Sequence, residues 1–152
     1  MTVLRVLLIL PALFAFFEIA AQKEEKAVKA VINRFFEGME KGDTTLLKSA
    51  CTQSPMMQTY MADRDGNLKV FTENFGDFVA FVGAPRKDKY VEKIEFGAVH
   101  TEQMLATAWT PYRFFLNGKL LHCGTNSFQL VKTADGWKIQ YIIDTRRKEG
   151  CL

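Results

Sequence analysis

Between positions 23 and 41, Val28, Val31, Ile32, Phe35 and Met39 recur at helical spacing and form one apolar stripe, with charged residues on the opposite side. The spacing predicts an amphipathic helix, and Gly42 supplies a C-terminal stop. Asp43 is placed to cap a shorter second helix over 44–50. Phe75, Phe78, Val79 and Val82 repeat the helical period, and Gly83 with Pro85 ends that third helix.

The remaining pattern is extended. Segments 58–61 and 68–71 flank Asp63-Arg64-Asp65-Gly66-Asn67, whose turn chemistry predicts a short hairpin. Asp63 and Asp65 loosely match the start of a calcium loop, but the later ligands and the closing glutamate are missing, so a plain turn is the better reading. Strand signals then run over 90–99, 104–116, 119–132 and 137–145. Helices first and a long antiparallel sheet second predict an α+β domain with its helices covering one face of a curved sheet.

The turns set an expected register. Asn117-Gly118 predicts a two-residue hairpin loop pairing Leu116 with Lys119, hence Phe115 with Leu120, Arg113 with His122 and Trp109 with Asn126. A four-residue loop from Thr133 to Gly136 pairs Lys132 with Trp137, hence Leu130 with Ile139, Phe128 with Tyr141 and Asn126 with Ile143. Strict alternation then collects Trp109, Arg113, His122, Asn126 and Tyr141 on one face, among apolar neighbours such as Phe128 and Leu130. Roofed by helix phenylalanines, these five are the expected ligand-binding residues of a small-molecule pocket, with Trp109 the stacking platform and Trp137 a core residue.

The opposite face would carry Tyr112, Phe114, Leu116, Leu121, Cys123 and Ile142, too apolar for water alone, which predicts a homodimer through the outer face of the sheet. A bulge at Pro111, which cannot donate to a ladder, would invert the facing on one side of it.

A chain of 152 residues, 48% of them apolar, can bury one domain's core. Twenty basic and 17 acidic residues are mixed along it for a net charge of +3, without the clustered stripe that nucleic-acid binding needs. Two distant histidines, His100 and His122, and no cysteine cluster argue against a metal site, and no cofactor motif is present. Arg5 followed by an apolar run from Val6 to Phe17 and by Ile19-Ala20-Ala21-Gln22 reads as an export signal over 1–21, leaving a single domain over 22–152 in the periplasm or outside the cell. The run is shorter than the ~20 apolar residues of a spanning helix. Export makes Cys51, Cys123 and Cys151 candidates for oxidation; three ordinary thiols is the favoured reading, and Cys123–Cys151 is the first pair to test against it.

Phe35-Phe36-Glu37-Gly38-Met39, Gly42-Asp43 and Gly136-Trp137-Lys138-Ile139 resemble the nuclear transport factor 2-like (SnoaL-like) superfamily, of cystatin-like fold. Trp109-Thr110-Pro111-Tyr112, His122-Cys123-Gly124, the run 128–132 and Asp144-Thr145-Arg146-Arg147 are similar to its exported bacterial branch labelled lumazine-binding. The resemblance implies a cone-shaped fold with an internal cavity and frequent dimerisation. It covers isomerases, dehydratases, polyketide cyclases and proteins without chemistry, and it transfers no catalytic residue.

Enzymes that resemble this fold use a cavity carboxylate as base. By the register above, the last three strands turn no Asp or Glu inward. Asp144 faces out unless a bulge intervenes, and Glu92, which shares parity with Ile94 and Phe96, falls near the rim. His122 beside Arg113 is the one weak catalytic candidate. The sequence therefore favours an exported, noncatalytic small-molecule-binding domain with an aromatic, mildly cationic cavity for a planar or anionic ligand. The alternatives are an isomerase- or dehydratase-like enzyme using His122 as acid/base, and a protein-interaction module acting through the outer face.

Overall fold

The computed structural model describes the backbone of residues 9–151 and the side chains of residues 21–151. Of the leader expected over 1–21, residues 1–8 lie outside the described residues and 9–20 are described in backbone only. Among the described residues no helix is long and apolar enough to cross a membrane.

Helix α1 (Ile9–Lys41) buries the predicted stripe, Val28, Val31, Ile32, Phe35 and Met39. Asp43 caps α2 (Thr44–Ser49) by accepting from Leu46 N at 2.9 Å, as its position predicts. Asn74 does the same for α3 (Phe75–Gly83), accepting from Asp77 N at 3.1 Å.

Seven strands follow or interleave: β1 (Cys51–Ala62), β2 (Leu68–Glu73), β3 (Tyr90–Ile94), β4 (Val99–Thr101), β5 (Leu105–Leu116), β6 (Lys119–Thr133) and β7 (Gly136–Arg147). They form one sheet in the order β2-β1-β7-β6-β5-β3, with β4 on β5. One pairing departs from the antiparallel expectation, because β1 runs parallel to β7 with Met57 beside Ile142. The chain between them, from β2 and α3 through β6, supplies the long connection that a parallel pair requires. In the β1–β2 turn, Asp63 accepts from the backbone of Asp65 and Asn67 and pairs with Lys69, so its carboxylate is spent on the turn. No group of three or more metal-type side chains gathers among the described residues.

The turn ends of β5–β7 are registered as expected. Asn117 and Gly118 take φ of 52° and 79°, the left-handed pair that a tight hairpin needs, and Leu116 meets Lys119. Lys132 meets Trp137 and Leu130 meets Ile139. Two bulges then overturn the expected facing. Phe115 pairs with Leu120 but Phe114 with His122, so Leu121 is an extra residue in β6. Leu130 pairs with Ile139 but Gln129 with Tyr141, so Gln140 is an extra residue in β7. Pro111 sits in regular register with Thr125.

Each extra residue reverses the alternation beyond it. Tyr112, Phe114 and Ile142, expected outside, turn toward the helices, while Trp109, Arg113 and Tyr141, expected inside, turn away. The core between helices and sheet centres on Phe128, Leu130 and Ile139, fully buried against Val28, Ile32 and Leu47. Trp137 is buried as expected, its Nε1 donating to Glu24 Oε2 at 2.7 Å.

Cys123 and Cys151 form a disulfide with a Cα–Cα distance of 5.6 Å, which fastens the C-terminal tail to β6. Cys51 is a free thiol, and burial pushes it up to about 12.

Candidate functional site

A cavity of about 270 Å³ lies between α1, α3 and the inner face of the sheet. Its apolar walls are aromatic. Phe35 and Phe78 lie near-parallel with centroids 5.9 Å apart, Phe36 meets Phe128 edge-on, and Phe114 stacks on His122 at 4.7 Å. The other wall is polar and comes from β1, β3, β6 and β7: Thr59, Glu92, Asn126, Asp144 and Arg146.

Glu92 points inward because its partner on β5, Phe114, does. Asn126 Nδ2 donates to Glu92 Oε1 at 2.9 Å, and no other described residue hydrogen-bonds this carboxylate. Burial among phenyl rings disfavours its charged form and pushes it up to about 7, against the opposing pull of the Asn126 hydrogen bond. A carboxyl in that range exchanges protons readily at neutral pH.

Asp144 is held differently. It accepts from Thr59 Oγ1 at 2.5 Å, from the Tyr112 hydroxyl at 2.8 Å and from Arg146 Nε at 3.1 Å. Burial, reinforced by the Asp144 charge, pushes the Tyr112 phenol far above its ordinary value, so it serves as a donor. Tyr112 reaches Asp144 across Gly124. A Cβ there would stand 1.7 Å from Thr145 O and 2.9 Å from the Tyr112 ring, so only glycine fits.

Of the five residues expected in the pocket, the structure brings His122 and Asn126 into it. His122 stacks on Phe114, and burial, then the nearby Arg146 charge, lowers its pKa and leaves the imidazole neutral at neutral pH. The partner expected beside it, Arg113, lies on the other face and pairs with Glu95 at 3.1 Å. Trp109 is 54% exposed on that face, and the Tyr141 hydroxyl donates to Gln58 Oε1 at 2.7 Å. The residues that alternation missed, Tyr112, Asp144 and Arg146, all lie beyond a bulge. Glu92 carried the one available signal, its shared parity with Ile94 and Phe96.

No protein-family model and no curated protein matches the chain. Solved structures do. An NTF2-like protein of unknown function from Shewanella baltica superposes with a TM-score of 0.63 at 17% identity, over 82% of this chain and 94% of that one. A nuclear transport factor 2-like superfamily protein from Salmonella enterica gives 0.63 at 19% identity, over 86% and 96%. The chain has the nuclear transport factor 2-like fold. A provisionally assigned dehydratase of the NTF2-like family from Streptomyces avermitilis also superposes, with a TM-score of 0.59 at 16% identity over 83% and 97%. Identities this low carry the nuclear transport factor 2-like architecture and no activity.

Proposed function

We propose that this chain is an acid–base enzyme acting on a small molecule held in the cavity, with Glu92 as the proton acceptor. The observation that carries the reading is the Glu92 carboxylate, set in an aromatic cavity with one hydrogen-bond donor. The sequence favoured binding without chemistry because the last three strands turned no carboxylate inward and Glu92 fell near the rim; Glu92 and Asp144 in the cavity lining remove that ground. They also displace His122, which has no carboxylate partner to fix its tautomer.

In the proposed reaction Glu92 takes a proton from a carbon beside a carbonyl. In an isomerisation it returns that proton to another carbon of the same molecule, and in a dehydration it passes the proton to the departing hydroxyl, which leaves as water while the carbon–carbon double bond forms. The provisional dehydratase among the similar structures belongs to the same reaction class. The export expected from the N-terminus is part of this reading, with the periplasm or the exterior as the working compartment. So is a homodimer, through an outer face that now comprises Trp109, Leu105, Met56, Tyr60 and Val70, all substantially exposed.

The test is deuterium uptake from D2O by a panel of aromatic and alicyclic ketones, followed by mass spectrometry for parent and Glu92→Gln. Uptake by at least one ketone, rising with pH through about 7 and lost in Glu92→Gln, is the expected result. If parent and variant match the uncatalysed background throughout, the cavity binds without chemistry.

A further inference from the structure

We propose that Arg146 grips an anionic oxygen of the ligand, so that the cavity takes a flat, apolar molecule bearing a carboxylate. This inference rests on the cavity being a small-molecule site and adds the ligand's chemical class.

Arg146 follows Asp144 on β7 and shares its inward parity, pairing with Gly124 across β6. Its Nε donates to Asp144 Oδ2 at 3.1 Å, and its terminal nitrogens make no hydrogen bond to any described residue. A guanidinium has five N–H donors, so four remain, and two of them, one from each terminal nitrogen, point side by side along the outer edge of the plane. The direction of that edge is set from behind, because Asp144 is itself fixed by Tyr112 and Thr59. A preoriented fork of this shape matches a carboxylate through two parallel hydrogen bonds, as a lysine would not.

The surroundings favour an anion of low charge at this point. The Arg146 side chain is 42% exposed, so a carboxylate resting on it keeps part of its hydration while the rest of the ligand enters the aromatic interior. Asp144 has turned its oxygens to Thr59, Tyr112 and Nε. Glu73, the other carboxylate near the mouth, is raised by burial, and Glu92 lies in the aromatic interior. A dianionic phosphate would crowd charge against Asp144 and Glu73, so the single charge of a carboxylate suits the site better. The parallel Phe35 and Phe78 rings and the Phe114–His122 stack offer flat walls, which sets the shape of the remainder.

The experiment compares 2-naphthoate with its neutral isostere 2-naphthamide by titration calorimetry on the protein, on Arg146→Gln and on Arg146→Lys. The parent is expected to prefer naphthoate by at least about tenfold. Arg146→Gln should abolish the preference while binding naphthamide as the parent does, which also shows that its cavity is intact. Arg146→Lys should restore part of it. Equal binding of the two probes by the parent, or an undiminished preference in Arg146→Gln, overturns the assignment to Arg146 and leaves the cavity reading standing. Failure of the parent to bind either probe overturns both.

Discussion

Glu92 and Asn126, 34 residues apart in the chain, meet inside the cavity through one hydrogen bond of 2.9 Å. That bond orients the carboxylate but is too weak to offset its removal from water, and the balance has a measurable sign. In the folded protein Glu92 titrates near 7, against an ordinary value of 4.5, so between those pH values the folded state holds a proton that the unfolded state has released. Stability contributed by protonated Glu92 is fully present below about 4.5 and is lost as pH rises through 7, to an upper bound of about 3 kcal/mol. Glu92→Gln keeps an acceptor for Asn126 and carries no charge. Urea denaturation should find it no more stable than the parent at pH 4.5 and more stable by ~2 kcal/mol at pH 8.

Tyr112→Phe removes the hydroxyl that serves Asp144 and leaves a buried carboxylate oxygen with one donor fewer. A loss of roughly 1–3 kcal/mol is expected, seen as a lower urea midpoint at unchanged slope. An unchanged midpoint would mean that water replaces the phenol without cost.

Gly124→Ala should be far more severe. The added methyl would stand 1.7 Å from Thr145 O, which only a backbone shift in the β6–β7 ladder can relieve. A loss above about 4 kcal/mol is expected, with soluble yield and the circular dichroism melting curve as readouts.

The disulfide closes a separation of 28 residues, and reducing it should lower stability by about 2–4 kcal/mol through the freedom regained by the unfolded chain. Thiol titration in denaturant should find one reactive thiol, Cys51, before reduction and three after it.

Trp109→Ser separates the two faces of the sheet. Because this indole is 54% exposed and away from the cavity, the variant should bind naphthoate unchanged and unfold within ~0.5 kcal/mol of the parent. In analytical ultracentrifugation the proposed dimer should weaken. A parent that sediments as a monomer at micromolar concentration would remove the dimer from the proposal.

The parts of this architecture that were legible in the sequence are those governed by local rules. Val28 to Met39 announce a helix by period, Asp43 a cap by type, and Asn117-Gly118 a hairpin by its left-handed backbone. The inner face was legible only as far as alternation holds from each turn, which is why Leu130–Ile139 was right and Asn126–Ile143 was not. Leu121 and Gln140 look like ordinary strand residues; whether a strand takes up an extra residue is decided by its pairing with its neighbours, which no local residue type declares. The parallel β1–β7 pairing was hidden for the same reason, since it joins segments about 85 residues apart, as the Thr59–Asp144 hydrogen bond records.

The two bulges also make the strands bilingual. On the turn side of Gln140, Trp137 and Ile139 face the core, and on its far side Ile142, Asp144 and Arg146 line the chamber. A one-residue deletion at Gln140 should exchange inside for outside over the rest of β7 while leaving the turn intact. It would replace the charged pair Asp144 and Arg146 in the lining by Ile143 and Thr145, and it would turn Ile142 out of the core, so chamber chemistry and core packing are coupled through one extra residue.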